Sequence, residues 1–203
     1  MVLIKTGEKE YLTLAFGPPK DKSKDTEMVR FYSQSQGVKA VCGGTTAKIM
    51  ARELDRDLEV LLGKDTGFPP KGRIDGIDIV TEGIIILSKT AEIIDKDMLC
   101  EIPLSKKIKT DEKYITYTSL NNKELLISEK ACSNSIYVPQ NPAEELACEM
   151  KSAKNIRFIV GQAENSAHQQ FNLPIKTGNK IDIIKQLKTK LEKMGKKVEI
   201  IYF

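Results

Sequence analysis

Val38-Lys-Ala-Val-Cys-Gly-Gly-Thr-Thr-Ala-Lys-Ile-Met-Ala-Arg-Glu-Leu54 reads as a short apolar strand, a diglycine turn and an amphipathic helix, which is half of a βαβ unit. Ala47, Met50, Ala51 and Leu54 fall at i, i+3, i+4 and i+7, so they share the helical face that can cover a sheet. Gly43 and Gly44 can take positive φ, and Thr45 or Thr46 can cap a helix whose first N–H groups point back at the turn. Cys42 to Thr46 is therefore a candidate anion cradle. The other reading of the same glycines is a tight turn with no ligand, and the pattern alone leaves both open. Neither GxGxxG nor GxxxxGK[ST] occurs, which argues against a dinucleotide site and an ATP-type P-loop.

Working outward, Glu10 to Phe16 is a strand ended by Gly17-Pro-Pro19, and Thr26 to Ser35 is a helix burying Met28, Val29 and Tyr32. Leu58 to Leu62 is expected to be a third strand, followed by a turn-rich loop from Gly63 to Gly72. Val80, Ile84, Leu87, Ala91 and Ile94 recur at helical spacing, which predicts a helix from Asp78, as its N-cap, to Ile94. The β-branched run Ile77 to Val80 supports a strand there instead. Tyr114 to Thr118 and Glu124 to Ser128 form a predicted hairpin within a segment of different character, about 100–140. Pro142 opens a helix carrying Leu146, Ala147 and Met150 on one face. Ile156 to Gly161 is a strand, Lys180 to Lys196 a helix, and Val198 to Phe203 the last strand. Alternating β and α segments predict one α/β domain over 1–203, a largely parallel sheet with helices on both faces in a three-layer, Rossmann-like arrangement, and a β-hairpin insertion. Ligands in such folds bind beyond the carboxyl ends of strands, which selects the loops Gly17 to Asp25, Cys42 to Thr46 and Gly161 to Gln170.

A chain of 203 residues can bury a substantial core, and 40% hydrophobic with 30% charged residues belongs to a folded rather than a disordered protein. The 32 basic and 28 acidic residues nearly cancel, and the lysine clusters at 20–24, 106–109 and 185–197 lack interleaved aromatics. They read as solvated faces, against nucleic-acid binding. No apolar run is long enough to span a bilayer; none is longer than Ile84 to Leu87. Four widely spaced cysteines, Cys42, Cys100, Cys132 and Cys148, show no metal-ligand spacing and suit a reducing, cytoplasmic setting.

Three sets of residues are candidates for chemistry. His168, the only histidine, lies in a polar loop with Asn165 and Gln169 after a predicted strand, where it could act as an acid or base, contact a ligand, or merely hold the loop. Cys42, at a helix mouth, is where a thiol pKa would be lowered; a small apolar residue closing a buried strand is the competing reading. Asp75, Asp78 and Glu82, with Asp21 or Asp25, could hold a divalent ion, or Asp78 could simply cap a helix.

Phe16 to Asp25, Val41 to Leu54, Ile74 to Gly83, and Phe158 to Gly161 leading to Asn165-Ser-Ala-His-Gln169 and Leu173-Pro-Ile175 together resemble one known region. It is the region that follows the phosphatase domain in bacterial metal-dependent serine/threonine phosphatases of the stage II sporulation protein E type. The segment from about Cys100 to Gln140 departs from that pattern. The resemblance implies a C-terminal regulatory or ligand-binding domain with a phosphatase domain as its partner in cis. Any Mn²⁺ or Mg²⁺ would then belong to the phosphatase domain, with none required here. It further implies that the chain is a fragment, Met1 to Lys5 being the remnant of the preceding domain. The expected function is recognition of a small anion at Cys42 to Thr46, with Asn165, His168 and Gln169 closing the site. The alternative is a small hydrolase or transferase on a phosphorylated substrate, using His168 or a carboxylate-bound metal.

Overall fold

The computed structural model describes residues 9–61, 69–95, 108–110, 114–118, 124–128, 139, 141–163 and 180–203. The chain separates into two compact units, one of residues 1–7 with 96–140, the other of residues 8–95 with 141–203. In the first, β6 (Ile108–Thr110), β7 (Tyr114–Thr118) and β8 (Glu124–Ser128) form an antiparallel sheet. The β7–β8 hairpin is the one the sequence predicts, with Thr116 opposite Leu126.

The second unit is a three-layer α/β structure. Its elements in chain order are β1 (Lys9–Phe16), α1 (Asp25–Ser33), β2 (Val38–Cys42), α2 (Gly44–Glu53), β3 (Glu59–Leu61), β4 (Lys71–Ile74), β5 (Ile77–Thr81), α3 (Ile84–Ile93), α4 (Pro142–Ser152), β9 (Ala153–Val160), α5 (Lys180–Lys193) and β10 (Lys197–Tyr202). The seven strands run in the order β10-β9-β1-β2-β5-β4-β3. The first five are mutually parallel, and β4 and β3 complete the sheet as antiparallel strands.

Position in the sheet explains composition. Leu12 to Phe16 of β1 is buried without interruption, as a central parallel strand covered on both faces requires. Ala15, Val41, Val80 and Ile159 point to one face, where Met28, Val29 and Tyr32 of α1 and Ala47, Met50 and Ala51 of α2 pack on them. Leu14, Ala40 and Phe158 alternate to the opposite side, served by α3, α4 and α5, whose buried residues include Ile86, Leu87, Leu146, Met150, Ile184 and Leu187. Strand β3, at the sheet edge, leaves Val60 and Leu61 exposed.

Helix ends are closed by specific groups. Asn141 Oδ1 accepts from the N–H groups of Ala143 and Glu144 at 3.1 and 3.0 Å, and Pro142 fills the first position of α4. Three lysines close carboxyl ends: Lys39 Nζ donates to Ser33 O, Lys190 Nζ to Ala91 O and Lys196 Nζ to Lys151 O. Two of these come from the 185–197 cluster, so part of that run is structural rather than solvated, favoured by the negative end of the helix dipole.

The helix expected from Asp78 to Ile94 is corrected. The chain instead forms β5, breaks at Glu82-Gly83 and begins α3 at Ile84. Asp78 is no N-cap; its Oδ2 accepts from Lys39 N at 2.9 Å, tying β5 to β2. The residues Ile77, Ile79, Val80 and Thr81 satisfy both periodicities, and pairing of Ala40 with Ile79 and Val41 with Val80 decides for the strand. The sequence reading also passed over β4, although Asp75-Gly76 is a strong hairpin signal; Gly76 takes φ +72° and Asp75 O accepts from Arg56 Nη1.

Leu14 is fully buried in the central strand. Leu14→Ala is expected to lower the unfolding free energy by roughly 2–5 kcal/mol in urea titrations, whereas Val60→Thr on the exposed edge should change it by less than about 0.5 kcal/mol.

Candidate functional site

The carboxyl ends of the parallel strands offer two places where neighbouring strands send the chain to opposite faces. The first lies between β1 and β9. There the backbone itself fills the gap: Gly161 N donates to Phe16 O at 3.0 Å and Ala163 N to Pro18 O at 3.1 Å. A Cβ on Gly161 would lie 2.1 Å from Pro18 O, so only glycine allows this approach. Lys180 Nζ, from the start of α5, donates to Ala163 O beside it. This switch point is closed by main chain.

The second lies between β2 and β5, which lead into α2 and α3. Gly43 N donates to Thr81 O at 2.9 Å, carrying the ladder one residue past the strands. Gly43 has φ 109° and ψ 128°, a conformation essentially reserved for glycine. Gly83 faces it, and a Cβ there would stand 3.1 Å from both Gly43 Cα and Phe16 Cε2. Two glycines thus let two helix N-termini start side by side.

The two N-termini are treated differently. At α3 the protein supplies its own anion: Glu82 Oε2 accepts from Ile85 N at 3.0 Å. At α2 no side chain caps the first turn. The expectation that Thr45 or Thr46 would cap it is therefore corrected, because the helix begins at Gly44 and both threonines lie within its first turn rather than before it. Ala47 N donates to Gly43 O, so the helical ladder starts there and the N–H groups of Gly44, Thr45 and Thr46 precede it. Gly44 and Thr45 are exposed, Thr46 is buried, and among the described residues nothing lies within 4 Å of a Cβ built on Gly44. The turn opens onto space with its amides first, a geometry that binds anions.

Cys42 does not take part through its sulfur. The thiol is fully buried and receives a hydrogen bond from Thr81 Oγ1 at 3.4 Å. Burial pushes its pKa up to about 12, opposite to the expected lowering, because the side chain points into the α3 side of the sheet rather than to the helix mouth. The acidic group is likewise dispersed. Asp75 and Asp78 lie at the start of β5 and Glu82 just past its end, about 13 Å further along an extended chain for the Asp78 to Glu82 step. Asp21 caps a single 3-10 turn at Lys22–Lys24, and Asp25 pairs with Arg52 Nη2 at 2.6 Å. Among the described residues no three acidic, cysteine or histidine side chains gather into a metal site. Asn165, His168 and Gln169 lie outside the described residues. Among the described residues, no helix is long and apolar enough to cross a membrane.

The sequence reading missed Gly83 and took Glu82 for a metal-ion candidate rather than the group that serves the α3 N-terminus; both roles depend on ending β5 at Thr81. The signal was present in a polar residue and a glycine following a β-branched run. No family model, curated protein or solved structure matches the chain.

The thiol's burial has a pH consequence. Its folded pKa lies above the unfolded value, so native protein holds the proton that unfolded chain releases, and stability falls as pH rises from about 9 toward 12. Iodoacetamide at pH 8, with peptide mass mapping, is expected to leave Cys42 unmodified in native protein and to label it fully in denaturant. Rapid native labelling would contradict the buried placement.

Proposed function

We propose that the chain is a recognition module which binds a small anion at the Gly43 to Thr46 turn and regulates a phosphatase domain attached in cis. It does so without phosphatase chemistry of its own. One observation carries the ligand part: the first turn of α2 lacks a side-chain cap and is open to solvent, beside an α3 whose own N-terminus is already served by Glu82. The uncapped amides and the positive helix end favour a group such as phosphate or carboxylate. Recognition rather than reaction fits what surrounds the turn, since the thiol behind it is buried and protonated, and Asp75 and Asp78 lie at the start of β5 while Glu82 lies past its end. The phosphatase part rests on the resemblance of four stretches of sequence to the stage II sporulation protein E type.

Gly44→Pro tests the ligand reading cleanly. Proline suits the first position of a helix and removes one amide donor, and its Cβ would meet no atom of the described residues within 4 Å. In thermal-shift titrations the parent chain is expected to gain stability with rising phosphate, as a ligand of the native state does, and Gly44→Pro to lose that gain at unchanged ligand-free melting temperature. Absence of any shift with phosphate, nucleotides or carboxylates, or an equal shift in the variant, would reject the anion site. The chain alone with Mn²⁺ is expected to leave a chromogenic phosphate ester intact; sustained turnover would reject the division of labour between domains.

A further inference from the structure

A strand at the edge of a sheet carries a row of main-chain donors and acceptors that no neighbouring strand has taken. One edge of this sheet is β3, with three residues, and the other is β10, with six. Phe203 N donates to Val160 O at 3.0 Å and Phe203 O accepts from Gln162 N at 2.9 Å, so Phe203 turns its main-chain groups toward β9. Successive residues of an extended strand alternate, which turns Glu199 and Ile201 the same way and Val198, Ile200 and Tyr202 outward. Among the described residues no strand lies beyond β10 to meet those outward groups. The edge is also poorly blunted. Lys197–Tyr202 contains no proline, its register with β9 runs without a bulge, and its one carboxylate, Glu199, is matched by Arg157 Nε at 2.7 Å. Val198, Ile200 and Tyr202 share the face that Phe158 occupies in β9, and Tyr202 is 42% exposed.

We propose that β10 is the contact through which two copies of this chain pair, strand against strand, antiparallel about a two-fold axis at Ile200. The outward groups themselves select that register. It sets Ile200 opposite Ile200 and Val198 opposite Tyr202 of the second copy, so every outward N–H and C=O from Val198 to Tyr202 gains a partner. An axis at Val198 leaves Tyr202 unpaired, and one at Ile201 leaves Val198 unpaired. An axis at Glu199 sets two carboxylates directly opposite each other, which is destabilising. With the axis at Ile200, no charge faces its like: Glu199 lies opposite Ile201, and Lys197 opposite Phe203. On the face shared with Phe158 the contact becomes an apolar ladder in which β-branched and aromatic side chains meet across the strands. A two-fold contact uses the same surface on both copies, so assembly stops at two and joins two sheets into one. One strand pair is a small interface, which suits a dissociation constant on the order of tens of micromolar. Strands β9 and β1 separate β10 from β2 and the α2 turn, so this inference and the anion reading can fail separately.

Sedimentation velocity of the full chain from about 5 to 500 µM spans that constant and is expected to show monomer converting to dimer, with no larger species. Amide exchange, labelled at both ends of the range and read residue by residue by mass spectrometry, identifies the strand edge. Val198, Ile200 and Tyr202 are expected to exchange about fivefold more slowly at the high concentration, while Glu199 and Ile201, already bonded to β9, exchange alike at both. Tyr202→Lys places a charge opposite Val198 at an exposed position, and Ile200→Pro removes the central outward donor while leaving the bonds to β9, as an edge strand tolerates. Each is expected to raise the dissociation constant at least about tenfold, and Tyr202→Lys to do so at unchanged melting temperature. A monomer throughout the range, a dimer without slowed exchange at the three outward amides, slowed exchange at Val60 and Leu61 instead, or a dimer of undiminished strength in Tyr202→Lys would each overturn it.

Discussion

Burial of Leu12 to Phe16 between two neighbours is the constraint on which the rest of the structure depends. Strand β1 pairs with β2 on one side and with β9 on the other, and its side chains alternate into both hydrophobic layers. Backbone donors and acceptors in so dry a strand have to be paired, and only flanking strands can pair them all. The two flanks then fix what lies beyond them: β5, β4 and β3 follow β2, while β10 follows β9. The same register carries past the strands into Gly17, Pro18, Gly161 and Ala163, which fills the switch point between β1 and β9 with backbone.

The fold was legible where sequence periodicity had one interpretation. The segment Val38 to Leu54 announced its strand, turn and helix through an apolar run, two glycines and a clean helical stripe, and all three are present. The segment from Asp78 to Ile94 did not, because β-branched residues placed every third or fourth position satisfy a helix and a strand together. What decided it was pairing with β2, a nonlocal fact that no window of sequence contains. Strand β4 was hidden for a related reason. Its four residues, Lys71-Gly-Arg-Ile74, are too few to show alternation, and Ile74 alone among them is buried.

The candidate site divides in the same way. Glycines flag unusual backbone, and the sequence located Gly43 and Gly44; it could not tell that Gly43 rather than a threonine would stand at the cap position, since that depends on where the first helical hydrogen bond falls. Cysteine is ambiguous by nature, being both a nucleophile and a small apolar residue. Its side of the sheet settles which character it shows, and Cys42 alternates with Val41 into the buried α3 layer. The acidic residues show the limit of reading neighbours in sequence as neighbours in space, for a strand spreads over a long distance what a helix would gather on one face.

The pairing of β1 with β9 also bears on how the molecule reaches its native state. Leu14 meets Phe158 across most of the chain's length, with residues 96–140, which carry β6, β7 and β8, strung between them. Closing a loop costs entropy that grows only logarithmically with its length, about 0.6 kcal/mol for each doubling, yet pairings so distant slow the search for the folded state. A hairpin such as β7–β8 needs no distant partner and forms from local contacts on the microsecond scale. Once that intervening unit condenses, the stretch of loose chain between β1 and β9 shortens, and the central sheet closes a smaller loop than the sequence separation suggests.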